Sequence, residues 1–242
     1  MMSFLASYFP WHLTAGLYAG SLLFRVFRKD RTAGVFLCMG FIANTLFLIS
    51  RSHSYGIFVP VNLVTETYFL PWCLALLTGI TGYFEKDKPS AVYGMYLIFF
   101  FSLMALLIPV NAHPPAPQHD TVFAPLFFVA EVMAHACFFL GGWLAFFCLI
   151  KRTEMPVFNN MAIWGFVLYS LAQIFGAVWA FEGWGAPFHW SERHLQSASL
   201  WCFYAAYLHL HFSSRWTLKG KMRFAVVGLI MILVFNYAYY IK

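Results

Sequence analysis

Residues 122–150 read VFAPLFFVAEVMAHACFFLGGWLAFFCLI, and this stretch decides the fold class. It contains one carboxylate, Glu131, and one imidazole, His135, while its other side chains are apolar or small. About 20 predominantly apolar residues are enough for a helix to cross a bilayer. The stretch therefore predicts a membrane-spanning helix that carries two ionisable groups.

Seven further apolar runs of similar length lie along the chain. Charged residues make up 10% of its 242 residues, whereas soluble domains carry about 25%. Together these observations predict an all-α, polytopic membrane protein that crosses the lipid bilayer eight times, as a single transmembrane domain over residues 1–242. The other runs are residues 8–24, 33–50, 62–83, 91–109, 159–178, 195–212 and 222–240.

The basic residues predict the orientation of these helices. Twelve of the fifteen lysines and arginines fall in loops on one side, and only Arg51, Arg193 and Lys242 fall on the other. Because basic loops stay on the cytoplasmic side, we expect both termini to lie outside. The net charge of +6 is then explained by topology, and nucleic acid is not expected as a partner. The twelve are Arg25, Arg28, Lys29, Arg31, Lys86, Lys88, Lys151, Arg152, Arg215, Lys219, Lys221 and Arg223.

Four ionisable residues inside the predicted spans are candidate functional groups, namely Glu66, Glu131, His135 and His209. A polar group in a span costs several kcal/mol and marks a functional site by default. Glu131 and His135 are four residues apart, so they share a helix face, and the carboxylate can orient the imidazole. The alternative is that the pair only satisfies itself in the bundle interior.

Two of these imidazoles are expected at different depths. His135 precedes Lys151 by sixteen residues, or about 24 Å of helix, and His209 precedes Arg215 by six, or about 9 Å. Histidine is a common axial ligand of haem iron, whereas zinc needs three or four clustered ligands. Separated histidines therefore favour haem over zinc.

Residues 176–201, GAVWAFEGWGAPFHWSERHLQSASLW, form what we call the tryptophan segment. Its opening GAVWAFEGWG, with the YLH that ends at His209, resembles the WWD domain of the CcsA/ResC family of system II cytochrome c biogenesis proteins. Pro60 and Glu66 in PVNLVTET, and His135 in VMAHACFFLGG, match further positions of that family. The residues that match the WWD pattern are Trp179, Glu182, Trp184, Gly185, Trp190, Trp201, Tyr207 and His209.

The resemblance implies a function in haem handling. Proteins of this family move haem b outward across the bacterial cytoplasmic membrane and present it to apocytochromes c, together with a ResB/CcsB-like membrane partner. It implies an inner haem ligand at His209, an outer one at His135, and a role as part of a haem lyase. Trp179, Trp184 and Trp190, with Glu182, would form an outer aromatic platform in one short loop. An ordinary aromatic belt, the alternative, would scatter its tryptophans over many helix ends.

The sequence also departs from the family pattern. Where the family has WDPKETW, this chain reads WSERHLQ, so Ser191, Glu192 and Gln196 replace an aspartate, a proline and a tryptophan. The family's outer histidine after the last helix has no counterpart in FNYAYYIK. The substitute ligand is expected to be His189 or His194, or to come from a partner protein; the alternative is that the outer haem site is lost.

Three functions remain open from the sequence. The first is cytochrome c assembly in a divergent form, which the retained Glu182, Trp184 and His209 favour. The second is a b-type haem subunit for electron transfer or quinol reaction in a respiratory complex, which the altered WDP motif favours. The third is a haem-free scaffold that anchors partners.

Overall fold

The chain was analysed as a computed structural model, which describes residues 2–54, 63–84, 90–107, 120–153, 155–213 and 215–237. Over these residues the regular secondary structure is entirely helical, which confirms the all-α class. The described helices follow the eight apolar runs of the sequence, although α1 begins six residues before its run and α6 ends six residues after its run. They are α1 (Met2–Val26), α2 (Asp30–Ser54), α3 (Leu63–Phe84), α4 (Ser90–Leu107), α5 (Phe123–Lys151), α6 (Val157–Trp184), α7 (Glu192–Phe212) and α8 (Leu218–Tyr237).

Five of the helices are long and apolar enough to cross a membrane, namely α2 to α6. The chain is therefore a membrane protein. Spans at α1, α7 and α8, and the sides on which the termini lie, stay predictions. The predicted PVNLVTET proline, Pro60, lies outside the described residues, as does the end of the chain after residue 237.

The described helices belong to two compact units, which comprise residues 1–117 and 118–242. In the first unit, α1 packs against α2 and α4, and α3 packs against α4. Its core contains Trp11, Phe47 and Tyr68, all buried. The Trp11 ring lies 4.6 Å from that of Tyr68 and 5.3 Å from that of Phe47, centroid to centroid.

In the second unit, α5 packs against α6 and α8, and α7 packs against α6 and α8. Two adjacent glycines permit the close approach of α5 to its neighbours. A Cβ atom at Gly142 would lie 2.6 Å from Leu229 Cβ of α8, and one at Gly141 would lie 3.0 Å from the Phe158 carbonyl oxygen of α6. Small residues at such crossings let helix backbones pack tightly inside a membrane.

Aromatic contacts fix α7 in the same unit. The Phe138 ring of α5 stacks on the Tyr204 ring of α7, and the Tyr207 hydroxyl donates to Asn159 Oδ1 at 3.1 Å. Because these residues are in the middle of α7, its N-terminal turn is held at a defined place beside α5 and α6. That turn carries part of the candidate site.

Candidate functional site

The tryptophan segment is mostly helical. α6 continues through Trp179 to Trp184 and ends at Gly185, whose φ of 77° is left-handed and whose N–H donates to the Phe181 carbonyl oxygen at 2.9 Å. Glycine is favoured there because it has no Cβ. The prediction that Trp179, Trp184 and Trp190 share one short loop is wrong for the first two, because no proline interrupts α6 between Val157 and Trp184 and the helix continues to Gly185.

Ser191 ends the short non-helical stretch and begins α7. Its Oγ accepts from the His194 backbone N–H at 3.5 Å, as in a helix N-cap. Only residues 185–191 are therefore non-helical within the segment. The last turns of α6 and the first turns of α7 form the two sides of a pocket.

This pocket has a volume of about 700 Å³. Sites for small molecules and cofactors occupy about 300–1,000 Å³ and are mostly apolar, with a few placed polar groups. The pocket has that character, since aromatic and small side chains dominate its walls. The lining residues that bear on function are Phe127, Gln173, Trp179, Trp184, Phe188, His189, Ser191, Arg193, His194, Ser197, Trp201 and Cys202.

One wall of the pocket is aromatic. The Trp179 ring lies 5.6 Å from that of Phe127 and 5.3 Å from that of Trp184, the latter edge to face. On α7, the Trp201 indole N–H donates to Ser170 Oγ of α6 at 3.0 Å. These contacts hold the indole rings in place, so that their surface toward the pocket is available to a flat apolar ligand.

Two of the predicted platform residues do not contribute to this wall. The Trp190 side chain is 86% exposed and is not part of the pocket lining, although its ring lies 5.3 Å from that of Phe188. Glu182 is also exposed and does not line the pocket. The structure thus brings Trp179 and Trp184 together and leaves Trp190 and Glu182 outside the cavity.

Two histidines line the pocket, and their ring centroids are 5.8 Å apart. His194 Nδ1 lies 2.8 Å from Ser191 Oγ. The Nε2 atom of His189 is buried and has no hydrogen-bond partner among the described residues. Buried polar atoms are nearly always satisfied, so this nitrogen is a candidate for binding a ligand.

The surroundings of His194 favour its neutral form. Partial burial lowers the pKa of the His194 imidazole, and the neighbouring His189 and Arg193 lower it further by charge repulsion. Metal binding requires the neutral imidazole. His194 therefore keeps a ligand-competent form at more acidic pH than an isolated histidine does.

An ion pair joins α5 to the pocket end of α7. The Glu131 side chain is 4% exposed, and Arg193 Nη2 donates to its Oε2 at 2.8 Å. The guanidinium also lies over the Phe127 ring at 5.6 Å and the Phe128 ring at 6.0 Å. Removing one partner of a buried ion pair lowers the free energy of unfolding by about 3–5 kcal/mol. Because Arg193 is partly exposed, we expect a loss near the lower end of that range.

Sequence reasoning paired Glu131 with His135 and did not anticipate Arg193. The separation of 62 positions between Glu131 and Arg193 gives no helical spacing that reports their contact. Gln173 was missed as well, although a glutamine within an apolar run is a visible polar exception. Its Nε2 atom is buried without a hydrogen-bond partner in the part of the chain that is described, and the residue lines the pocket.

His135 lies behind the pocket. Its side chain is 4% exposed and is not part of the lining, and its ring is 5.8 Å from that of Tyr169. The Tyr169 hydroxyl donates to the carbonyl oxygen of the lining residue Ser197 at 3.4 Å. His135 is therefore connected to the pocket wall through Tyr169.

His209 is far from this pocket along α7. It follows His194 by fifteen residues, or about 22 Å of helix, and its exposed ring donates from Nδ1 to the Ala205 carbonyl oxygen at 2.8 Å. Such a bond fixes the tautomer and leaves the lone pair on Nε2. Glu66 belongs to α3 of the other unit, and its side chain lies outside the described residues.

Comparison with known proteins defines the class. Residues 61–240 match the family described as Cytochrome C assembly protein. This match covers 180 of the 242 residues, so the chain belongs to the cytochrome c assembly protein family.

Within that family, the chain is similar to proteins named Cytochrome c biogenesis protein CcsA, as the resemblance of the sequence predicted. It is 41% identical to that of Prochlorococcus marinus strain MIT 9303 over 70 residues, which are 29% of this chain and 22% of the relative. It is 39% identical to that of another Prochlorococcus marinus strain over 85 residues, which are 35% of this chain and 27% of the relative. In these alignments the chain spans about a quarter of the relatives' length.

Proposed function

We propose that this protein binds haem as cargo during cytochrome c assembly and holds it in the pocket of the tryptophan segment. The observation that carries the proposal is a cavity of about 700 Å³ with an aromatic wall and a buried, unsatisfied His189 Nε2. Haem combines a flat apolar ring with an iron that takes imidazole ligands. Both features of the pocket match that chemistry.

His189 is the first choice for the iron ligand in this pocket. Its Nε2 is buried and unsatisfied among the described residues, whereas His194 has Nδ1 close to the Ser191 hydroxyl. Trp179 and Trp184 would support the ring faces of haem b. His135, the ligand expected from the family resemblance, would act here through Tyr169 as support for the wall.

The proposal includes a direction for the cargo. The distribution of the basic loops supports an outer position of the tryptophan segment, in a bacterial cytoplasmic membrane that the chain would cross eight times with both termini outside. His209 would then be an inner haem ligand, since its Nδ1–H···O=C bond directs the Nε2 lone pair outward from its own helix. A ResB/CcsB-like membrane protein is the proposed partner, and a c-type apocytochrome the proposed recipient.

An electron-transfer subunit with permanently bound haem is not favoured. The family match over residues 61–240 is to assembly proteins. In addition, the proposed iron ligand His189 lies within the non-helical residues 185–191 and not on a packed helix, which suits a ligand that exchanges.

Haem titration of the purified protein in detergent tests the proposal. Wild-type protein is expected to bind iron(III) protoporphyrin IX, with quenching of tryptophan fluorescence, and His189→Ala is expected to lose most of that affinity. His12→Ala is the matched control, because His12 is exposed in the other unit. Failure of the wild-type protein to bind haem contradicts the proposal.

The orientation is tested separately by cysteine labelling in intact cells. Ser191→Cys and Ser213→Cys are introduced one at a time, in a background in which Cys38 and Cys202 are replaced by serine. An impermeant thiol reagent should label only the first. Labelling of position 213 instead contradicts the proposed sides of the membrane.

A further inference from the structure

The pocket contains a fixed cation that an iron-binding role does not require. Arg193 lines the cavity beside His194, and its guanidinium is held by the buried Glu131 carboxylate at 2.8 Å. Its stacking over the Phe127 and Phe128 rings restricts it further. A long, flexible side chain is thus fixed at one place on the wall, which lowers the entropy cost of using it to bind a ligand.

A guanidinium can bind two carboxylates at once. It has five N–H donors in a planar fork, and these match carboxylate oxygens in bidentate geometry. Glu131 lies on the buried side of Arg193, while 39% of the arginine side chain is exposed. The Arg193–Glu131 pair is neutral overall, so we expect recognition through short charge-assisted hydrogen bonds rather than long-range attraction.

A second donor lines the same cavity. The Gln173 amide nitrogen is buried and has no hydrogen-bond acceptor among the described residues. A buried donor in this state is costly unless a ligand satisfies it. An oxygen acceptor on the ligand would do so, whereas a purely apolar ligand would not.

We propose that Arg193 and Gln173 form a carboxylate subsite, which binds the propionate groups of the porphyrin. This inference rests on the proposed function and adds the direction in which the propionate edge of the bound haem points. Haem has two propionates on one edge and apolar substituents on the opposite edge. An aromatic wall with a fixed cation therefore selects one orientation of the ring, with the propionate edge toward Arg193. Glu131 is a positioning residue in this arrangement.

The test compares two porphyrins that differ only in these carboxylates. Iron(III) protoporphyrin IX and its dimethyl ester are titrated into the full-length protein in the same detergent, and the ratio of their dissociation constants is measured for each variant. The ratio cancels differences in protein folding and in loading that affect both ligands equally. Wild-type protein is expected to prefer the free acid by about tenfold or more, which is the value of one charged hydrogen bond.

Arg193→Gln should reduce this preference to about threefold or less, which is the share left to Gln173, and Arg215→Gln should keep it in full. Arg215 is the matched control because it is an exposed arginine of the same unit that does not line the pocket. Gln173→Leu, which keeps the side-chain size, should reduce the preference by about threefold, because one neutral donor is lost. An unchanged ratio in Gln173→Leu overturns its part in the subsite.

Arg193→Gln leaves Glu131 buried without its cation and can fail to fold. The double variant Glu131→Gln/Arg193→Gln removes both charges and keeps a hydrogen-bonding pair, so it supplies the same comparison in a neutral background. It too should prefer the acid by about threefold or less, the share of Gln173. A tenfold preference for the acid that survives in this variant overturns the assignment of Arg193.

The result for the wild-type protein separates this inference from the function on which it rests. Equal binding of acid and ester overturns the carboxylate subsite and leaves haem binding intact. Binding of neither porphyrin overturns the proposed function itself.

Discussion

The two units use aromatic residues in different ways. In the first, Trp11, Phe47 and Tyr68 contact one another and are at least 96% buried. In the second, Trp179 and Trp184 also contact each other edge to face, but both border a cavity and Trp184 is 51% exposed. The same side-chain chemistry therefore fills a core in one place and leaves a surface for a ligand in the other.

This difference separates stability from binding. The rings of the closed cluster stabilise the fold because all of their surface packs against other side chains. The rings of the open wall stabilise the fold less, because part of their surface faces the cavity. Substitutions in the two regions should thus affect different measurements.

The largest effect on stability is expected in the closed cluster. Trp11→Ala should lower the free energy of unfolding by about 3–5 kcal/mol, because it leaves a cavity among Phe47 and Tyr68. Thermal unfolding in detergent, followed by circular dichroism, measures it. Haem affinity of the folded fraction should stay unchanged. A large loss of affinity at this residue would mean that the two regions are not distinct in function.

In the open wall, substitution should affect haem binding more than stability. Trp184→Ala should weaken haem binding about fivefold to tenfold, because one aromatic contact with the ring is lost, with a smaller change in stability. Trp190→Ala is the control, since Trp190 is 86% exposed and outside the lining. Equal losses of haem affinity in both variants would contradict the boundary of the pocket drawn by the structure.

A smaller effect concerns pH. The folded state lowers the pKa of His194, so it favours the neutral imidazole. The associated stability is present above the unfolded pKa of about 6.5 and is lost as pH falls through the lower folded pKa. His194→Gln should therefore flatten the pH dependence of thermal unfolding between about pH 7 and pH 5. The control is His12→Gln in the closed-cluster unit. If the thermal unfolding of His194→Gln depends on pH as strongly as that of the wild type, His194 is not the source of this pH dependence.

The described helices could be predicted from the sequence because each contains a long apolar run, although only α2 to α6 are long and apolar enough to cross a membrane. Even the 122–150 run corresponds to α5 within a residue at each end. The division of the tryptophan segment was harder to predict. The order of Trp179, Trp184 and Trp190 in the sequence does not reveal that α6 ends only at Gly185. As a result Trp179 contacts α5, Trp184 contacts Trp179, and Trp190 is exposed.

The chemistry of the site was only partly visible from the sequence. His189 and His194 were identified inside the tryptophan segment as substitute ligands, and both line the cavity. Their role as iron ligands stays a prediction. Glu131 was recognised as an unusual carboxylate in a span, but its partner Arg193 is on another helix. Local spacing reports contacts within one helix, and a contact between α5 and α7 depends on tertiary packing.

The most direct test of the haem pocket uses two native cysteines. Cys202 lines the pocket and is exposed, while Cys38 is exposed on α2 of the other unit. Purified protein is treated with a maleimide in detergent, with and without saturating iron(III) protoporphyrin IX, and the labelling rate of each thiol is measured by mass spectrometry. If haem occupies the pocket, it should slow the labelling of Cys202 at least tenfold and leave that of Cys38 unchanged, because only Cys202 becomes covered. Haem binding that leaves Cys202 as reactive as before would contradict the account.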